Sequence, residues 1–445
     1  MELYSEILQE WLLPLYYGAC GRHYARYRRL LEEAQWWPRD KVLSYQWDEL
    51  SRLLDHVFAN VPYYQQKYRV AGAQRGDIRS LADFAQLPVL TREEIRESRE
   101  QLRAVNVAHV LPHATGGSSG VPTRFYITLD SYDWRMAASQ RAYSWSGCRL
   151  GQLTLYLWGA PVGHVPSLKK LKARAYHTLQ RHEMINTFSQ SPALWQRVYE
   201  WHCRRRPVLI VGYVASLEAY AGYLSQQGLT APAPRAVITA AEPLTVDARR
   251  QIKDALKAPV FNTYGSREFM SIAAECDSHE GLHINTENLL VETTLPPCEG
   301  ASDILITDLH NYGMPFVRYS IGDVGFLDRS PCPCGRGLPR IRSIEGRTLD
   351  VLRTPGGRVV PGEFLPHLMK EFPEIRQFQA KQLAIDRIQI SAVLDRPLSA
   401  DHETLMQTEL GRVFGPHVQV DFQRVDEIPR LPSGKRRVTI GMNAC

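Results

Sequence analysis

Three short apolar runs, LTLYLWG (153–159), PVLIVGY (207–213) and RAVITAAEPL (235–244), alternate with helical segments at 191–204 and 215–227. Parallel strands need a crossover connection between them, and a helix usually supplies it. The alternation predicts α/β layering with largely parallel central strands. Upstream, WDELSRLLDHVFANVPYY puts Trp47, Leu50, Leu54, Val57 and Phe58 on one helical stripe, with Pro62 as its stop. That predicts a helical N-terminal layer, taken as residues 1–110.

After Gly346 the texture changes. DVLRTPGGRVVPGEF reads as strand, turn and strand around Gly356 and Gly357, and LAIDRIQISAVL (383–394) as a further strand region. Helical segments near 362–371 and 401–414 complete a unit of about 100 residues, a usual size for a small domain. The boundary is placed near 346–349, giving a large domain at 1–346 and a small α+β domain at 347–445. A chain of 445 residues has room for two or three domains of about 150 residues.

Composition excludes more than it selects. A net charge of +6 over 445 residues suits anionic small molecules but is too diffuse to argue for nucleic acid. The first residues carry Glu2, Glu6 and Glu10 where a secretory signal would want Lys or Arg. No run of about 18 apolar residues is present, although the Trp- and Tyr-rich N-terminal segment is able to graze a membrane surface. Eight irregularly spaced cysteines, with one close pair at Cys332 and Cys334, suit a reducing compartment, and the expectation is a cytoplasmic protein.

The stretch HATGGSSGVPTRFYIT (113–128) packs glycines and hydroxyl residues just before RFYIT, where Phe125 and Ile127 alternate with polar residues as in a strand. It is not a Walker A loop, because Gly120, Val121 and Pro122 replace the Gly-Lys-Ser/Thr ending. Backbone N–H groups in such a turn converge on an anion, and Thr115, Ser118 and Ser119 add hydroxyl donors. A plain surface linker has the same composition, so the loop alone leaves both readings open.

Four further stretches follow it: FNTYGSREFM (261–270), MPFVRYSIGDVG (314–325), IEGRTLDVL (344–352) and IPRLPSGKRR (428–437). In this order they resemble the signature series of the adenylate-forming, AMP-binding enzymes: acyl-CoA synthetases, adenylation domains and luciferases. AAEPL (240–244), the Glu275-Cys276 pair and CPCGR (332–336) look most like the phenylacetate-CoA ligase branch, including its relatives in capsule and exopolysaccharide gene clusters. The resemblance covers most of the chain from about residue 45 onward.

It implies a multi-layer N-terminal domain and a small mobile C-terminal one. It also implies a ligase that adenylates an aryl or acyl acid with ATP and Mg2+, then passes the acyl group to a thiol, with CoA the expected acceptor. By the same resemblance Thr115, Gly116, Gly117, Ser118, Ser119 and Gly120 hold the β- and γ-phosphates, and Glu268 is the Mg2+ carboxylate. Tyr264, with Gly265 and Ser266, stacks on adenine, helped by the backbone of Ala241, Glu242 and Pro243. Asp323 accepts from the ribose hydroxyls, Arg347 supports ribose or phosphate, and Lys435 reaches into the cleft to neutralise carboxylate and α-phosphate oxygens. Tyr143, Trp145 and Tyr213 are candidate walls for an aromatic or bulky acid; as core aromatics they would look the same.

Cys276, His283, Cys332 and Cys334 supply four soft or borderline donors, and in this branch similar positions look like a structural zinc site; His279 is the alternative fourth ligand. Three positions depart from the pattern. Val121 replaces a frequent lysine, Arg267 a hydroxyl residue before the Mg2+ glutamate, and Leu349 a frequent Asp or Lys at the hinge. Arg267 either offsets the missing phosphate charge, as a catalytic group, or marks altered handling of the acyl-adenylate. Three alternatives therefore stand beside CoA ligation: transfer to an amine of a polysaccharide precursor, transfer to a carrier protein, or a catalytically degenerate nucleotide-binding protein. No nucleic-acid partner and no integral membrane segment are expected, and a homodimer is left open.

Overall fold

The computed structural model describes residues 2–115, 123–159, 167–188, 191–294 and 302–345, and then 352–356, 359–360, 364–369, 371–415, 418–428 and 438–442. The glycine loop 116–122, the boundary region 346–351 and the 429–437 stretch, with Arg347, Leu349 and Lys435, lie outside the described residues.

The protein is mixed α/β, built around one eleven-stranded sheet. Five parallel strands form one half, in the order His182–Asn186, Thr154–Trp158, Leu209–Tyr213, Ala236–Ala240 and Val260–Ser266. Helices Pro192–Arg205, Val214–Gln226 and Val246–Leu256 connect these strands, as the alternation of apolar runs required. Antiparallel pairing then takes over through Met270–Glu275, Leu282–Ile284, Arg340–Glu345, Tyr319–Asp328, Ser302–Asp308 and Leu289–Thr293. Val260–Ser266 is the seam. Its first residues pair parallel with Val237, Ile238 and Thr239, and its last ones pair antiparallel with the strand that follows.

The N-terminal layer begins with helix 2–19, whose turn Leu8–Leu12 is π-helical. That turn has a use. Ser5, Leu8, Leu13 and Tyr17 are all buried, and the five-residue step from Leu8 to Leu13 keeps the later pair on the inward face. Helix Arg39–Asn60 buries Leu50, Leu53, Leu54 and Val57, while Trp47 and Phe58 pack at its margin. Each fully buried aliphatic side chain contributes about 1.5–3 kcal/mol. The helix ends because Val61, preceding Pro62, is driven into extended backbone; Pro62 then opens helix Pro62–Val70, where its missing N–H is harmless.

Helix Leu129–Ser144 is tied to the sheet by buried charge. Arg141 is bonded to Glu287 and, at 2.8 Å, to Asn285; Arg135 pairs with Asp308. Losing one partner of such a pair would strand the other charge in a dry interior.

A four-stranded sheet, Gln419–Arg424, Arg387–Leu394, Ile375–Ala384 and Thr439–Ile440, is covered by helices Phe364–Met369 and Ala400–Phe414. Its core includes Phe364, Leu368, Phe378, Ile390, Leu410 and Val413, and Phe188 and Tyr213 from the region of the parallel strands pack into the same cluster.

Candidate active site

The seam strand and its neighbours carry three of the motifs to one place. Ala236–Ala240 and Val260–Ser266 lie side by side, so AAEPL and YGSRE leave the sheet at neighbouring strand ends. Open α/β sheets bind ligands outside the carboxyl ends of their parallel strands. Ala241, just past its strand, holds φ at +69°, an uncommon left-handed setting for a residue with a side chain. Glu242 turns back to accept the Ala215 N–H at 2.7 Å, at the start of helix Val214–Gln226.

YGSRE forms a tight hairpin with Met270–Glu275. Gly265 is required there, because a Cβ would fall 2.2 Å from the Met270 carbonyl oxygen. The Tyr264 hydroxyl donates to Asp323 Oδ2 at 2.9 Å, which joins this motif to RYSIGD. Glu268 is buried, accepting from the Tyr319 hydroxyl at 3.3 Å and lying 3.5 Å from Arg92 Nη2. Arg92 also donates from Nε to the Tyr319 hydroxyl at 3.0 Å and from Nη2 to the Ile321 carbonyl at 3.2 Å. Tyr319 and Arg92 were not singled out from sequence. Tyr319 lies within a quoted motif, whereas Arg92 comes from a helix whose visible signal is only the capping box of Thr91 and Glu94.

The base of the glycine loop closes as a hairpin. Leu111–Ala114 pairs with Arg124–Ile127, the Thr115 N–H donates to the Thr123 carbonyl at 3.0 Å, and the Thr123 N–H donates to Thr115 Oγ1 at 2.9 Å. At this base the His113 imidazole is held below its ordinary range by burial first, and then by the positive fields of Arg135 and the exposed Arg267. The positive field of Arg267 thus reaches the root of the loop. Gly116 to Gly120, Arg347 and Lys435 lie outside the described residues.

A second cluster forms beyond the other end of strand Met270–Glu275. The donor atoms of Cys276, His283, Cys332 and Cys334 all lie within 4.8 Å of one another. The sulfurs of Cys276 and Cys332 are 3.8 Å apart, and His283 Nε2 is 3.2 Å from the Cys334 sulfur. His283 Nδ1 donates to the Leu338 carbonyl at 3.1 Å, so the lone pair belongs to Nε2, the atom facing the sulfurs. Burial drives this imidazole down to about 4, which keeps it neutral. Burial likewise pushes the Cys276 thiol up to about 12; at Cys334 burial acts the same way but the hydrogen bonds from Arg336, Cys332 and Cys276 together outweigh it, leaving that thiol below its usual range. His279 faces Glu275 at 3.2 Å instead and is not one of the four.

The three candidate acyl-wall residues pack into three different clusters, with Trp158 packed against those of Tyr143 and Tyr213. Trp145 packs with Cys276, Cys332 and Leu338, its ring 5.6 Å edge-on to His283, and its indole N–H donates to Gln35 at 2.8 Å. Tyr213 instead packs at 4.4 Å against Trp158 and stacks at 6.2 Å on Phe188, which meets Phe364 at 5.4 Å. Tyr143 packs against the cluster of Cys148, Leu209, Val211, Ile238 and Phe261, as Tyr156 and Trp158 do, and burial pushes its phenol up to about 12.

Residues 352–442 match the family model of the CapK C-terminal domain. Over 355 residues the chain is 26% identical to the phenylacetate-coenzyme A ligase of Thermus thermophilus, covering 76% of this chain and 77% of that protein. It is 24% identical over 371 residues to Protein CapK of Staphylococcus aureus, with 81% of each covered. The chain is a homologue of the phenylacetate-CoA ligases and of CapK. Its fold is that of the adenylate-forming acyl-CoA ligases. A 2-hydroxyisobutyryl-CoA ligase crystallised with 2-HIB-AMP and CoA in its thioesterification state superposes with a TM-score of 0.60 at 19% identity, over 92% of this chain and 91% of that one. The open form of the same ligase gives 0.54 at 21% identity, over 88% and 89%. No helix among the described residues is long and apolar enough to cross a membrane.

Proposed function

We propose that this chain is an ATP-dependent carboxylate ligase that converts an aryl or acyl acid to its acyl-adenylate and then to a thioester of CoA. The observation that carries it is the joining of two separated motifs: Tyr264 bonded to Asp323 beside a buried Glu268, in a chain homologous to phenylacetate-CoA ligases. In the first half-reaction a carboxylate oxygen attacks the α-phosphorus and pyrophosphate leaves. In the second the CoA sulfur attacks the acyl carbon and AMP leaves. Negative charge gathers on oxygen in both, so fixed positive charge and N–H dipoles are the protein's main contribution.

Within this scheme Asp323 receives the ribose hydroxyls and Tyr264 covers the adenine, with the backbone of Ala241, Glu242 and Pro243 at its edge. Thr115 to Gly120 cradle the phosphates, with Arg267 supplying the charge that Val121 does not. Glu268 fits Mg2+, since one hard carboxylate beside substrate phosphates is the usual protein share of such a site. Mg2+ there would neutralise phosphate charge, while Arg92 and Tyr319 fix the carboxylate. Lys435 enters from a C-terminal unit that begins near 347 and turns relative to the rest between half-reactions, with Arg347 at the nucleotide. The acid sits between Tyr143 and Tyr213, with Trp158 taking the place expected for Trp145.

The Cys/His cluster fits structural zinc. A tetrahedron with Zn–S bonds of about 2.3 Å has edges of about 3.8 Å, and the Cys276 and Cys332 sulfurs stand 3.8 Å apart. Four protein donors leave no open position, so such a metal holds the fold and takes no part in catalysis.

Incubation of the chain with ATP, Mg2+, CoA and a panel of aryl, fatty and amino acids tests the scheme, with the products read by mass spectrometry. One acid class should give an acyl-CoA and AMP. Acyl-adenylate without thioester would favour the second reading, an amine of a polysaccharide precursor or a carrier protein as acceptor.

A further inference from the structure

Helix 2–19 buries one face and leaves the other bare. Leu3 is 69% exposed, Trp11 68%, Leu15 68% and Tyr16 62%, and Ile7 and Leu12 are exposed beside them. The π-helical turn that brings Leu13 inward puts Trp11, Leu12, Leu15 and Tyr16 together outside. Single exposed apolar residues are ordinary, but a contiguous set on one helix marks an interaction surface. Two acids of this helix face cations: Glu10 pairs with Arg28 at 2.7 Å, and Glu6 lies 4.0 Å from Arg149.

The neighbouring element decides the partner. The Tyr4 hydroxyl donates to the Leu179 carbonyl at 2.6 Å, and the Arg181 guanidinium lies 5.6 Å over the Tyr4 ring, so helix Ser167–Leu179 lies against the start of helix 2–19. Residues 167–182 carry Lys169, Lys170, Lys172, Arg174 and Arg181 and no acidic residue. The same helix exposes Leu171 at 64%, and Tyr176 and Leu179 beside it. An apolar face rich in Trp, Tyr and Leu joined to a purely basic helix is complementary to an anionic lipid surface, which supplies negative headgroups above an apolar layer.

We propose that helix 2–19 and helix Ser167–Leu179 form a peripheral docking surface for anionic membranes, independent of the reaction assigned above. The test is co-sedimentation of the full chain with phosphatidylcholine vesicles containing or lacking phosphatidylglycerol. Binding is expected only with phosphatidylglycerol, and it should weaken as salt shortens the screening length from about 10 Å at 0.1 M to about 3 Å at 1 M. Trp11→Glu with Leu15→Glu, both exposed positions, should reduce binding about tenfold or more. Replacing Lys169, Lys170, Lys172 and Arg174 by Gln should cost about fivefold for each charge. Equal sedimentation with neutral vesicles, or none with either, overturns the proposal. So does a chain that dimerises in solution and becomes monomeric on Trp11→Glu without binding vesicles, since the occupant would then be a second copy.

Discussion

Glu268 and Cys276 stand near opposite ends of one short strand, Met270–Glu275, which carries the chain roughly 17 Å at about 3.4 Å per residue. The two regions it separates are built in opposite ways. Around Cys276 four soft donors converge on a single point, and Trp145, Val42 and Leu338 pack around them. Around Glu268 the groups are hard and charged, drawn from Arg92, Tyr319, Asp323 and Tyr264, and they line an edge of the sheet without closing on a point. A donor set that closes on itself is suited to holding a metal and bracing the fold. An open set of positioned charges is able to act on something that enters.

Substitutions can break this division of labour, beginning with the largest expected effect. Glu268→Gln should lower acid-dependent pyrophosphate exchange, measured on protein that remains folded, by about 100- to 1,000-fold, beside some loss of stability because buried Arg92 loses one charged partner. Lys435→Ala should give a similar loss with ATP binding preserved in calorimetry; unchanged exchange would remove the role assigned to it. Cys332→Ser with Cys334→Ser should do the reverse. About one zinc per chain should be lost by elemental analysis, stability should fall by roughly 3 kcal/mol, and exchange by the protein that remains folded should survive at low temperature. A double variant that keeps its stability but loses exchange would abolish the contrast.

Smaller changes sharpen it. Tyr319→Phe deletes a hydroxyl bonded to both Arg92 and Glu268, and at about 1 kcal/mol per hydrogen bond it should slow adenylation about 30-fold. Tyr264→Phe removes the bond to Asp323 and should raise the KM for ATP about threefold with kcat nearly unchanged.

Legibility in the sequence followed the range of the interactions involved. The parallel strands and their helices could be read because apolar run and crossover alternate locally, and the stop at Pro62 because proline acts on the residue beside it. The four-donor cluster was legible through cysteine chemistry, though spacing alone did not choose His283 over His279; the antiparallel pairing of Arg340 and Ile341 with His283 and Leu282 does so. Trp145 and Tyr213 both read as bulky aromatics, and only tertiary packing sends one to the cysteine cluster and the other towards Phe188 and Phe364. Arg92 was invisible as a site residue because its partners lie 176 to 229 positions away along the chain. The π-helical turn gave no signal either, because it exists to align two buried faces against the rest of the molecule.

The most direct measurement is ATP–pyrophosphate exchange without CoA, run on the intact chain and on Lys435→Ala across aryl, fatty and amino acids. Carboxylate ligation requires exchange that depends on one acid class and on Mg2+ and that collapses in the variant. ATP bound by the intact chain with no exchange for any acid, or exchange that is equal in the variant, would contradict it.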